Sequence, residues 1–313
     1  MTIAAGGLPQ LLGRPYRYLR LEWTSELALL RVRQCVRPVP CFSLAGLAEL
    51  QSVLDDLHAN RGLVRHLVLS SDVDGVFNFG GDLALFVLLV RARDRDSLRL
   101  YGRRCIDLVW GMERAAAHDL HTVALVQGDT LGGGLETVLP FHHIIFERRA
   151  QGGFPEVLFN LFPGMGAWPF TIRRAGLAVA SEMILSGRIY GAEELRQRGL
   201  VDTVADDGAG EAAVEQVVRS VEPRWRGTLA ALRAQRDTVP VTRESLLAIV
   251  DLWADAALAL GERDLRLMER LARAQARKVG GADEGAVEEL KRIELASAWR
   301  GERAAERAPD ALA

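Results

Sequence analysis

Two glutamates stand out in this sequence because of what surrounds them. Glu136 follows three consecutive glycines in the run GDTLGGGLE, and Glu156 follows Pro155 in the run FPEV, twenty residues further on. Both sit in apolar company: Leu135, Val138, Leu139 and Phe141 near the first, Phe154 and Leu158 near the second. An isolated buried charge is costly, so such a carboxylate is either paired or functional. Apolar surroundings raise a carboxyl pKa, which lets the group hold or deliver a proton near neutral pH. Glycines let a backbone approach a ligand closely. A glycine run that opens a helix also leaves N–H groups free to stabilise negative charge developing on an oxygen. Each feature has a plainer reading. Gly132–Gly134 alone reads equally well as a tight strand-to-helix turn, and Glu136 alone as a carboxylate at a helix N-terminus. The pair in this setting reads as an acid/base couple. The run is not a dinucleotide-binding fingerprint, because no convincing GxGxxG with a later acidic partner is present.

Those residues need elements to hold them. Tyr16–Leu21 and Leu27–Val32 read as strands with a turn near Thr24–Glu26, after a loose leader over residues 1–15. Ser43 reads as the N-cap of a helix over Ser43–Asn60, where Leu44, Leu47, Leu50, Val53, Leu54 and Leu57 recur at helical spacing. His66–Ser70 and Thr122–Gln127 are short apolar runs of the kind buried in parallel sheets. The glycine-rich turn FNFGGD leads into an arginine-rich helix, with Asp82 as a cap, and Leu98–Ala117 forms a second helix. Helices are expected at Ala178–Leu185, Gly191–Arg198, Gly210–Ser220, Arg243–Leu260 and Glu262–Lys278. Short strands alternating with long helices predict an α/β fold.

The whole chain bounds the reading. Its 313 residues suit one large domain, or one domain with an appended helical part. Thirty-nine basic residues nearly balance forty-one acidic ones, which argues against nucleic acid or anionic membrane as partners. Three cysteines, Cys35, Cys41 and Cys105, form no CxxC and show no zinc spacing, so no metal is expected. With no signal-peptide pattern and no long apolar stretch, the cytoplasm is the expected location. His142 and His143 read as core or interface residues, His118 and His121 as ordinary surface or loop histidines. The arginines of Arg91–Arg104 read as a solvated helix face, with contact to a carrier's phosphates as the alternative.

The four stretches FNFGGD, GDTLGGGLE, FPEV and PGMG, in this order and spacing, resemble the crotonase (enoyl-CoA hydratase/isomerase) superfamily over about residues 15–275. The resemblance implies a spiral of ββα units at residues 1–205. A helical region at 206–280 would serve trimerisation and the acyl pocket, and a charged, disordered tail would occupy 281–313. It implies catalysis by Glu136 and Glu156, with an oxyanion hole made by the N–H groups of Gly81 and Gly133, and no cofactor. The phrases FNFGGDLALF, CIDLVWGMERAA and LMERLARAQARK further resemble the diffusible-signal-factor synthase subgroup. Its members dehydrate a 3-hydroxyacyl chain on acyl carrier protein to a cis-2-enoyl thioester, then release the free unsaturated fatty acid. Trp253, on the helix with Leu246, Leu247 and Val250, is the residue expected to line an acyl tunnel. Two alternatives accompany this reading: an enoyl-CoA hydratase/isomerase acting on an acyl-CoA, and a crotonase-fold binding partner of a sensor kinase. The resemblance also implies a homo-trimer or hexamer.

Overall fold

The computed structural model describes residues 7–36 and 39–279. The charged tail expected at 281–313 lies outside the described residues. In chain order the strands are β1 (Leu19–Thr24), β2 (Leu29–Gln34), β3 (His66–Ser71), β4 (Val76–Asn78), β5 (His121–Val126), β6 (Asp129–Leu131), β7 (His143–Glu147), β8 (Gln151–Gly153), β9 (Ile189–Gly191) and β10 (Thr203–Ala205). The first six helices are α1 (Gly7–Gly13), α2 (Leu44–Ala59), α3 (Leu83–Arg91), α4 (Arg95–Glu113), α5 (Gly133–Val138) and α6 (Ala167–Ala175). They are followed by α7 (Leu177–Ser186), α8 (Ala192–Gln197), α9 (Gly210–Val221), α10 (Trp225–Thr238), α11 (Arg243–Leu258) and α12 (Glu262–Lys278).

The strands form two sheets. One runs β1-β2-β3-β5-β7-β10, parallel except for the β1–β2 hairpin, and the other runs β4-β6-β8-β9. A few residues after β3, β5 and β7 leave the large sheet, the chain enters the small one, so each turn of the spiral contributes a strand to both. The central strands are buried and largely apolar because both faces are covered. Leu67 and Leu69 of β3 join the main core, while Val68 packs on the other face with Val214 and Val218 of α9. Alternation along one strand thus feeds two cores.

Several expected elements shift. Part of the expected leader is helix α1, which packs on α2 and β1 because Leu11 is buried. The first hairpin turns later, through Ala28 in the left-handed region. Ser43 does cap α2, its Oγ accepting from Gly46 N at 3.1 Å. Helices α6 and α10 were not anticipated.

Two charge readings are corrected. Arg91 donates to Glu269 at 2.7 Å and Glu262 at 3.4 Å, Arg95 to Asp255 at 2.6 Å and Arg99 to Asp251 at 2.5 Å. These arginines therefore tie α3 and α4 to α11 and α12, and are not simply solvated. His121 is buried at 3% exposure, its Nδ1 3.1 Å from Nδ1 of His66, and His118 stacks on His58. Burial above all pushes His121 down to about 3, so it packs as a neutral core ring. Among the described residues no helix is long and apolar enough to cross a membrane, and no cluster of three or more His, Cys, Asp and Glu side chains is placed to hold a metal ion.

Candidate active site

Two glycine turns from successive ββα units meet beside the small sheet. The first, Gly80–Gly81, follows β4. Asn78 shapes it: its Oδ1 accepts from Gly80 N at 2.7 Å while its Nδ2 donates to Gln34 at 3.0 Å. Phe42 N donates to Gly80 O at 2.8 Å. Tyr101 OH donates to Phe42 O at 2.7 Å and accepts from Asp82 N at 3.2 Å. Asp82 Oδ1 then caps α3 by accepting from Leu85 N at 3.1 Å. The second turn, Gly132–Gly133, follows β6 and opens α5.

The turns touch through their backbones. Gly80 has φ +85°, and a Cβ there would lie 2.5 Å from Leu131 O and 2.7 Å from Gly133 N. Gly132 has φ +50°, and a Cβ there would collide with the Glu156 carboxyl. Only glycine satisfies both demands at these positions. Gly81 N lies within 3.5 Å of where a Gly133 Cβ would project, so the two amides are neighbours. Among the described residues neither amide donates to a backbone acceptor.

Glu136 sits in the first turn of α5 and is 1% exposed. Its Oε1 accepts from Met165 N at 2.6 Å and from Ala167 N at 2.8 Å. Those donors come from the PGMG loop and the start of α6, which explains the loop's value to the site. Burial pushes the carboxyl up to about 7, against the pull of the Ala167, Met165 and Gly166 amides. Glu156 stands on a 3-10 helix, Pro155–Phe159, with Pro at its first position and Asn160 at φ +61° closing it. Its Oε2 is buried without a hydrogen-bond partner. Burial, followed by the nearby charge of Glu136, holds this carboxyl well above the usual range.

Both carboxyls face one cavity of about 310 Å³. Gly81, Gly133 and Trp253 line it as well, so all five residues expected at the site share one space. The rest of the wall is mostly apolar, including Phe79, Leu83, Phe86, Cys105, Leu161 and Val250. Trp253 is 6% exposed, meets Phe86 edge-on at 4.9 Å and lies against Gly164, where a Cβ would be 2.8 Å from its ring. Gly132 was visible within the triple glycine, whereas nothing near Tyr101 or Asn78 marks either as a support of the turn.

The chain is similar to known proteins in sequence and in fold. Residues 33–240 match the family model described as enoyl-CoA hydratase/isomerase. The chain is 31% identical over 191 residues to the enoyl-CoA isomerase/hydratase claC of Penicillium crustosum, covering 59% of this chain and 21% of that protein. It is 38% identical over 125 residues to the mevalonyl-coenzyme A hydratase SIDH of Beauveria bassiana, covering 40% of this chain and 41% of that protein. The matched part thus spans less than half the length of these curated relatives. Pseudomonas aeruginosa DspI has a similar fold, with TM-score 0.62 at 23% identity over 72% of this chain and 90% of that one. So does an enoyl-CoA hydratase from Mycobacterium avium subsp. paratuberculosis, with TM-score 0.68 at 16% identity over 82% and 99%. With a model match over most of its length and a shared spiral fold, the chain belongs to the enoyl-CoA hydratase/isomerase family of the crotonase superfamily.

Proposed function

We propose that the chain adds or eliminates water across C2–C3 of a fatty acyl thioester. The observation that carries this is the opposed setting of two carboxyls on one apolar cavity. Glu136 is held by backbone donors of the PGMG loop and α6 that favour its anion, whereas Oε2 of Glu156 has no hydrogen-bond partner and its carboxyl lies near that anion. A shared proton therefore rests on Glu156. In hydration, Glu136 takes a proton from water as its oxygen bonds to C3, and Glu156 gives its proton to C2. Dehydration is the reverse: Glu156 takes the C2 proton and Glu136 protonates the departing hydroxyl. The amides of Gly81 and Gly133 would hold the thioester oxygen as its negative charge grows.

The resemblance of the flanking sequence supports a finer assignment. The substrate is a 3-hydroxyacyl chain on acyl carrier protein, and the first product is the cis-2-enoyl thioester. Water then attacks the carbonyl carbon, a glutamate accepts its proton, the same amides hold the oxyanion, and the carrier thiol departs to leave a free unsaturated acid. A second reading, favoured by the family match, is a hydratase/isomerase that leaves the thioester intact on CoA. Incubation with 3-hydroxydodecanoyl carrier protein, followed by mass spectrometry, separates them. Free dodecenoic acid supports the synthase, enoyl thioester without acid supports the hydratase/isomerase, and unchanged substrate with both carrier protein and CoA removes both. The same reading includes assembly into a trimer or hexamer, which light scattering measures, and docking to a sensor kinase, which co-purification tests.

A further inference from the structure

Helix α12 presents two different faces. Its inner residues Leu267, Leu271 and Gln275 wall the cavity. They are half-exposed, and Leu158 of the same wall is 62% exposed, whereas Phe79, Tyr101, Cys105 and Trp253 are buried. Helix α12 therefore forms part of the rim by which a substrate enters.

Its outer face carries Arg263, Arg266, Arg270 and Arg277, all exposed. Their spacing of three, four and seven residues places them on one side of the helix. The helix's acidic residues are engaged elsewhere. Glu262 and Glu269 hold Arg91 of α3, and Asp264 accepts from Gly261 N at 3.0 Å. Within the row, Arg266 reaches Glu262 only at 4.0 Å. A cationic strip thus stands on the cavity rim of a chain whose formal net charge is −2.

We propose that this strip docks an acidic acyl carrier protein, which delivers its thioester arm into the cavity. The proposal rests on the carrier-protein reading above and assigns the surface that receives that carrier. Fourteen residues of helix span about 21 Å at ~1.5 Å per residue. That spread matches a helix-sized acidic surface on a protein better than the phosphates of a single nucleotide. Charges at a rim act chiefly on encounter and on salt dependence, so they set KM for the carrier-bound substrate and leave kcat alone.

The test uses the full chain, a purified holo-acyl carrier protein, and 3-hydroxyacyl substrates on carrier protein and on CoA. Wild type binds the holo-carrier, and raising salt weakens the binding. The triple variant Arg263→Glu, Arg266→Glu, Arg270→Glu weakens it by about tenfold or more. The same variant raises KM for the carrier substrate by a similar factor and leaves the CoA substrate and the oligomer mass unchanged. The milder Arg263→Gln, Arg266→Gln, Arg270→Gln variant moves binding in the same direction and guards against misfolding of the charge-reversed protein. Absence of wild-type binding overturns the proposal. So does an equal KM rise for both substrates, or a change in oligomer mass that makes the row a contact between copies. If neither thioester is turned over but arginine-dependent binding persists, docking stands and the catalytic reading falls.

Discussion

At the scale of single residues, the site depends on two carboxyls being unlike. Glu136 has backbone donors and Glu156 has an orphaned oxygen, so under the proposed mechanism replacing either removes a distinct proton-transfer role. Glu136→Gln and Glu156→Gln are each expected to lower kcat by about 10²–10⁴-fold, measured on the hydration of an enoyl thioester. Full turnover by either variant would end the catalytic assignment. The raised pKa of Glu136 also predicts a stability effect. Its folded value of about 7 exceeds the ordinary carboxyl value of 4.5, so the native state binds more protons than the unfolded state between those values. Its contribution is therefore fully present below 4.5 and is lost as pH rises through 7. Glu136→Gln lacks this loss, so its stability relative to wild type should rise by on the order of 3 kcal/mol between pH 4 and pH 8. Parallel urea titrations at the two pH values measure it, and a pH-independent difference would show that burial does not control this group. Gly132→Ala adds a Cβ where φ is +50° and the Glu156 carboxyl already sits. It should cost about 1–3 kcal/mol and most of the activity. The sequence made the glutamates legible through their glycine and proline neighbours. His121 was misread because a lone histidine at a strand start carries no sign of the second histidine, His66, that packs against it from the neighbouring strand.

At the scale of elements, the C-terminal helices close the cavity, and two kinds of contact attach them. Arg91 bridges to Glu262 and Glu269 of α12, but all three side chains are substantially exposed. Such pairs contribute little, typically about 0–1 kcal/mol each. Leu265 and Met268 of α12 are 3% and 0% exposed, and truncating such side chains costs about 2–5 kcal/mol. Apolar burial should therefore win. Met268→Ala is expected to lower stability by about 2–5 kcal/mol, and Arg91→Ala by about 1 kcal/mol or less, in urea unfolding. The reverse order would mean that the ion pairs hold α12 in place. The sequence announced α11 and α12 because their apolar residues keep helical spacing over sixteen and seventeen residues. It concealed α6 and α10 for physical reasons. Helix α6 starts after the glycine-rich PGMG and carries Pro169, which is tolerated because it lies in the first turn, where no intrahelical N–H bond is lost. Helix α10 buries only Leu229 fully, so its apolar periodicity is weak.

At the scale of the whole molecule, a buried ionic cluster joins the Glu136 helix to parts of the chain far from it in sequence. Glu113 ends α4 and accepts both guanidinium nitrogens of Arg173 on α6, at 2.5 and 2.6 Å. Arg236 of α10 donates to Glu113 O and Pro140 O, and Arg174 donates to Leu139 O and Phe141 O. The carbonyls just beyond α5 are thereby gathered by α6 and α10. The other end of α6 begins at Ala167, whose amide holds Glu136. Unlike the Arg91 bridges, the Arg173–Glu113 pair is only 10% and 6% exposed. Breaking a buried pair leaves a charge without compensation and costs about 3–5 kcal/mol. Here the stranded charges are cationic, because Arg236 also lies near Glu113, at 3.9 Å. Glu113→Ala should therefore lower Tm by roughly 6–20 °C at ~2–4 °C per kcal/mol, a larger loss than Arg173→Ala, which removes one cation along with the pair. The double variant should be milder than the sum of the singles, because the second truncation removes a charge that the first stranded. A double variant whose loss equals that sum would show that Glu113 and Arg173 act independently, and that the pair does not couple α4 to α6.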